Sequence, residues 1–451
     1  MLRRLLLPFL AVVVAAGCID SGPAATTRPA DPTTTSTVPP SSTTTTSPGV
    51  DPDDLDATVS PSLDPEVVAR MREELAELVG VTESVRGLPF LTAPKVAILD
   101  EAAFTDRVNA LIREELDPEE VAADARFFAM LGMLDPGTDL ARLLVDLYTE
   151  QVAGFYDGDT EELVVPASED GFTVLQRITV VHELVHALTD QHFDFDPEFQ
   201  RRNEEGNGDD AAAMAALVEG DATYFQLVYM ESLSPLEALQ AATEALSIDT
   251  SVLEAAPDWI AADLTFPYDQ GLRLVETLVD DGGIARVDRA YQELPDTTEQ
   301  VLEPAKYLRR EAPLPLEPLD VELAGWELFD EGTLGEWGLR LVLGTSNPPG
   351  FATQAAAGWG NDTYREFVRG DDTAMVLRYR GDSVSDAEDL TDALLTHVSE
   401  KIDTGEPVEV DGGLRFRGAT YVFLDRVDEE VLLVVSTDEA AGEELRRRVG
   451  G

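Results

Sequence analysis

The feature that most constrains this chain is a charged pentapeptide inside an apolar helical stretch. His182-Glu183-Leu184-Val185-His186 is flanked by Ile178, Val181 and Leu188. A helix that buries three polar side chains must supply each with a partner. Residues four apart differ by about 40° in azimuth and one turn in height, so both imidazoles can converge on one metal ion. Glu183 lies about 100° round, at the flank where a carboxylate can take a proton from an attacking water. Histidine is scarce, at four in 451 residues, which makes chance a poor explanation of this spacing. His192 lies on the opposite side of His182 from His186, at the helix end, and is expected to cap or pack there. His397, remote in sequence, is expected at the surface near a helix C-terminus.

Two histidines leave the coordination short, since a catalytic zinc takes three protein ligands and keeps one position open. The best third ligand is Glu219, in Ala215-Ala216-Leu217-Val218-Glu219-Gly220-Asp221-Ala222. A carboxylate inside an apolar helix needs a cation or a proton. Gly220 beside it lets another backbone approach closely. Glu204 and Glu205 are the alternatives, but their polar, Gly-rich stretch (203–209) reads as a loop. The expected cofactor is one Zn2+ per chain.

The ends and the charge set the context. Arg3 and Arg4 precede an apolar run, Leu5 to Ala16, too short for a stable span, which closes on Ala15-Ala16-Gly17-Cys18. This resembles a bacterial lipoprotein signal, in which Cys18, the sole cysteine, is acylated. Residues 19–60, rich in Thr, Ser and Pro, are expected to form a disordered tether. The formal charge is −56, with 88 acidic against 32 basic residues. A field of that sign repels nucleic acid and anionic lipid, leaving the anchor as the only expected membrane contact and a monomer as the expected state.

Periodicity predicts helices at 63–80, 101–115, 118–131, 139–152, 173–190, 210–230, 235–246, 270–280 and 284–293, and strands at 95–99 and 162–165. The texture changes near residue 325, beyond which helices at 333–343 and 386–401 and strands at 375–379, 414–425 and 430–436 are expected. The fold class is α+β: a mainly helical domain with a small sheet (61–325), then a smaller α+β domain (326–451). Trp359, in Gly358-Trp359-Gly360-Asn361-Asp362, reads as part of a turn packed on the second domain's core.

His182 to Asp190, HELVHALTD, resembles the active-site helix of thermolysin-like and other gluzincin metallopeptidases. Gly154-Phe155-Tyr156-Asp157, Phe266-Pro267-Tyr268 with Gly271, and Thr298-Glu299-Gln300-Val301-Leu302 resemble stretches of a group of exported bacterial metallopeptidases. The resemblance covers roughly residues 61 to 310. It implies His182, His186 and Glu219 as metal ligands, Glu183 as general base, and a peptide or protein substrate. It also implies a second oxyanion donor, for which Tyr156 and Tyr268 are the candidates, each also readable as a core or rim aromatic. Asp190 and Asp221 are candidate acceptors orienting the ligand histidines, with helix capping the other reading of Asp190. A substrate backbone is expected to add to a strand edge, with 162–165 the candidate. The chain departs from the group at Glu303-Pro304, where a His-Pro pair is usual, so no role for that histidine carries over. The expected function is a zinc-dependent endopeptidase at the cell envelope; the alternative is a non-catalytic zinc-containing surface lipoprotein with a binding or scaffolding role.

Overall fold

The acidic residues that set the charge also start the helices. In the computed structural model, which describes residues 50–204 and 207–450, the side chains of Asp64, Asp100, Asp117 and Asp139 each accept a backbone N–H at a helix N-terminus. Thr173 and Ser234 do so within capping boxes.

The N-terminal part runs β1 (Asp56–Val59), α1 (Pro65–Arg86), β2 (Lys95–Leu99), α2 (Glu101–Glu115), α3 (Pro118–Met130), α4 (Leu140–Gln151), β3 (Phe155–Asp157), β4 (Glu162–Pro166), α5 (Val174–Phe193), α6 (Asp196–Glu204), α7 (Gly208–Glu231), α8 (Pro235–Ala245), α9 (Ser251–Ala255), α10 (Asp258–Gly282), α11 (Ile284–Ala290), α12 (Thr298–Leu302) and α13 (Pro304–Leu308). Its sheet has the order β1-β2-β4-β3, parallel except for β3. Strand alternation divides the core. Val96, Ile98, Leu163 and Val165 face α1 and α5, whereas Ala97 and Val164 face the opposite side, with α2 to α4.

The C-terminal part runs β5 (Glu327–Gly332), α14 (Gly335–Gly344), α15 (Pro349–Ala356), β6 (Trp359–Arg369), β7 (Asp372–Gly381), α16 (Val384–Lys401), β8 (Val408–Val410), β9 (Gly413–Phe416), β10 (Tyr421–Val427), β11 (Glu430–Ser436) and α17 (Glu439–Val449). Its seven strands form an antiparallel sheet, β5-β6-β7-β11-β10-β9-β8. The molecule is α+β, and one apolar core crosses residue 325: Phe128, Trp259, Leu339, Tyr379 and Leu394 belong to the same cluster.

Several expectations change. The end of the supposed tether folds, since Asp56–Val59 pairs with Lys95–Ile98 as β1; residues 1–49, including Cys18, lie outside the described residues. Among the described residues no helix is long and apolar enough to cross a membrane. The helix expected at 270 starts at Asp258 and runs through Pro267. One buried stripe, from Trp259 through Leu264 and Gly271 to Leu278, continues past the proline and offsets its cost of about 3 kcal/mol. Of the stretch expected as a loop at 203–209, α6 takes in residues up to Glu204 and α7 begins at Gly208; residues 205 and 206, Glu205 included, lie outside the described residues. The strand expected at 414–425 is two, β9 and β10. Trp359 opens β6 rather than a turn, and its Nε1 donates to Asp362 Oδ2 at 2.6 Å. Buried acids on β6, Asp362 and Glu366, conceal its inward face from a hydropathy reading.

His397 is the largest reversal. It is 2 % exposed, with Nε2 donating to Leu131 O at 2.8 Å and Nδ1 beside the hydroxyls of Ser346 and Thr345. Burial pushes its pKa down from 6.5 to about 4. The unfolded chain therefore takes up this proton first, and stability falls as pH drops from 6.5 towards 4. His397→Gln removes that titration. Denaturant midpoints across this range should show the parent chain losing up to about 3 kcal/mol more than the variant; parallel curves would exclude the coupling.

Candidate metal centre

The capped helix α5 packs on the sheet through Val181 and Leu184 and brings His182 and His186 against α7. Glu219 projects from α7 to meet them. His182 Nε2 lies 3.0 Å from Glu219 Oε2, His186 Nε2 lies 3.4 Å from the same oxygen, and the two Nε2 atoms are 3.1 Å apart. Ligand atoms arranged tetrahedrally about zinc are roughly 3.3 Å apart. All three residues are at most 4 % exposed, and together they form a buried group that could hold a metal ion.

The second nitrogen of His182 decides the chemistry. Its Nδ1 faces Gln226 Oε1 at 2.9 Å. An amide oxygen accepts, so Nδ1 carries a proton, and in the neutral ring Nε2 presents a lone pair. That lone pair points at a carboxylate oxygen and at a second imidazole, an arrangement of three electron-rich atoms that calls for a shared cation. Burial acts to raise the Glu219 carboxyl, but the adjacent His186 and His182 outweigh it and bring it to about 2. The donor set present fits a divalent ion.

Glu183 is fully buried beside this group. Its Oε2 accepts the backbone N–H of Tyr156 at 2.8 Å, while Oε1 has no hydrogen-bond partner among the described residues. Burial pushes its carboxyl up to about 8, with His186 and the Tyr156 N–H opposing and Glu219 adding to the rise. A buried carboxylate with one oxygen anchored and one open can accept a proton at that open oxygen.

Close helix contacts complete the setting. A Cβ added to Gly220 would lie 2.2 Å from the Gly271 carbonyl carbon, and one on Gly271 would lie 2.0 Å from Ala216 O. The two glycines therefore let α10 reach α7, and the Tyr268 ring comes to 6.1 Å from that of His182.

The remaining predicted residues are placed as follows. The Tyr156 hydroxyl donates to Asp190 Oδ2 at 2.8 Å, so it is turned to α5, and what Tyr156 brings to the centre is its backbone N–H. Asp221 accepts from Arg86 Nε at 3.2 Å and from the Tyr291 hydroxyl at 2.9 Å. Asp190 and Asp221 thus hold other groups, and Gln226 takes the place expected of them at His182. His192 Nε2 donates to Pro89 O at 2.7 Å, a packing contact at the end of α5. Glu204 is exposed at the end of α6. β4 lies between β2 and β3, so 162–165 is not a sheet edge; the edge strand beside α5 is β3, whose Tyr156 N–H is taken by Glu183. Gln226 was legible in principle: it lies seven residues, two turns, beyond Glu219 on the same face of α7. The backbone N–H of Tyr156 has no sequence signal.

A family model described as a domain of unknown function, DUF8575, matches residues 326–446. No curated protein and no solved structure matches the chain.

Gln226→Leu should weaken divalent-metal binding about 10- to 100-fold in competition titrations against a chelator; unchanged affinity would show that Gln226 does not orient His182.

Proposed function

We propose that the chain is a zinc-dependent peptidase acting on peptide or protein substrates, with His182, His186 and Glu219 as the ligands and Glu183 as general base. The observation that carries this reading is the meeting of two imidazoles and a carboxylate beside a buried glutamate with one free oxygen. A two-histidine, one-glutamate set suits zinc, and the resemblance of HELVHALTD to the gluzincin helix points the same way. Zinc bound there would supply a Lewis acid, polarising the scissile carbonyl and making water a better nucleophile near neutral pH.

The chain's own groups do the rest. The Tyr156 N–H holds Glu183 Oε2, which aims Oε1 at the attacking water. Glu183 takes the water's proton as the carbonyl is attacked and returns it to the departing amine. Tyr268, whose ring lies 6.1 Å from that of His182, is the candidate to donate a hydroxyl to the developing oxyanion, since the Tyr156 hydroxyl is bonded to Asp190.

The basic start, the short apolar run and Cys18 support export and lipid anchoring on the outer side of the membrane. The strong negative field speaks against nucleic acid as a partner.

The purified chain should carry about one zinc, lost in His186→Ala by elemental analysis. Cleavage of denatured casein should fall at least about 100-fold in Glu183→Gln while zinc stays bound. Equal cleavage by both forms would remove Glu183 from the chemistry. Zinc at full occupancy without cleavage in the parent chain would favour the binding role.

A further inference from the structure

One side chain links Glu183 to an acid two helical turns beyond it. Glu183 and Asp190 are seven residues apart on α5, so they project from nearly the same face, about 10 Å apart along the axis. Tyr156 on β3 reaches both. Its backbone N–H donates to Glu183 Oε2 at 2.8 Å, and its hydroxyl donates to Asp190 Oδ2 at 2.8 Å. The residue is 2 % exposed, and both bonds gain strength from the low local dielectric.

The strand β3 needs such a second hold. It is three residues long, lies at the edge of its sheet and pairs only with β4, where Tyr156 stands opposite Leu163. In an antiparallel pair alternate amides face away from the partner strand, and the Tyr156 N–H, turned to Glu183, is one of these. Two glycines let the segment come in close. A Cβ on Gly154 would lie 3.3 Å from Val164 O, and one on Gly158 would lie 2.5 Å from Asp196 Oδ1. At the end of the strand, Asp157 pairs with Arg107 of α2. Gly154-Phe155-Tyr156-Asp157 and the last acid of HELVHALTD are thus parts of one contact between β3 and α5.

We propose that Asp190 is a positioning residue for Glu183. By holding the Tyr156 hydroxyl it fixes the Tyr156 N–H on Glu183 Oε2, which leaves Glu183 Oε1 as the oxygen aimed at the attacking water. Released at the ring, β3 could shift along α5, and the carboxylate would turn with it. A displacement of about 1 Å at a reacting group is enough to cost two orders of magnitude in rate. The use made of Glu183 rests on the peptidase reading; the clasp itself does not.

Tyr156→Phe keeps the ring and removes only the hydroxyl. In the zinc-loaded full chain it should lower kcat for casein about 10- to 100-fold, with KM within about twofold and zinc retained. Asp190→Ala should do the same, and the double variant should lose no more than either, since one bond is at stake. Asp190→Asn keeps an oxygen acceptor and should stay near the parent. Hydrogen exchange at the residue-156 amide needs neither zinc nor cleavage. It should speed up at least about 10-fold in Tyr156→Phe and stay slow in Asp190→Asn, while the Leu163 amide keeps the parent rate in both. Unchanged exchange at residue 156 in Tyr156→Phe would overturn the proposal, and so would additive kcat losses in the double variant. A parent chain that cleaves nothing, with residue 156 responding as described, would confirm the clasp and strike only the peptidase reading.

Discussion

Three electron-rich atoms brought within 3.4 Å of one another in a buried space are the constraint on which this structure turns. Burying a carboxylate against two imidazole nitrogens costs several kcal/mol unless charge is shared among them. Gln226 holds a proton on His182 Nδ1, so Nε2 is the nitrogen that faces the shared centre. The helices α5 and α7 must then be held at one separation and one rotation, and much of the surrounding fold serves that requirement.

The support is layered. The small sheet carries α5 on one face through Val96, Ile98, Leu163 and Val165. α1 fixes the far side of α7 through the fully buried Arg86–Asp221 pair, which Tyr291 joins from just beyond α11. α10 closes on α7 at Gly220 and Gly271. α10 is held in turn by the C-terminal part, where Trp337 stacks on Phe266 at 4.5 Å and bonds Asp263. One core running across residue 325 thus joins the helical part to the C-terminal part, which has its own seven-stranded sheet.

Much of this was legible in the sequence where the local pattern is strong. The HExxH pair, Glu219 isolated among alanines and valines, and β2 and β11 at their observed bounds all follow from local pattern. The readings that failed did so for identifiable reasons. α10 continues through Pro267 because tertiary burial outweighs a local penalty. β6 went unseen because its inward positions include Asp362 and Glu366, which a hydropathy reading places outside. His397 was assigned to the surface because its carbonyl acceptor, Leu131 O, lies 266 residues away. Asp190 and Asp221 were reasonable partners for the histidines by type, but other buried donors reach them first.

The most direct test is the anomalous difference map from a crystal of the zinc-loaded chain, collected across the zinc absorption edge. A single peak about 2.0–2.2 Å from His182 Nε2, His186 Nε2 and a Glu219 carboxylate oxygen is the expected result. Zinc density bound elsewhere, with the three side chains bonded only to one another, would contradict it.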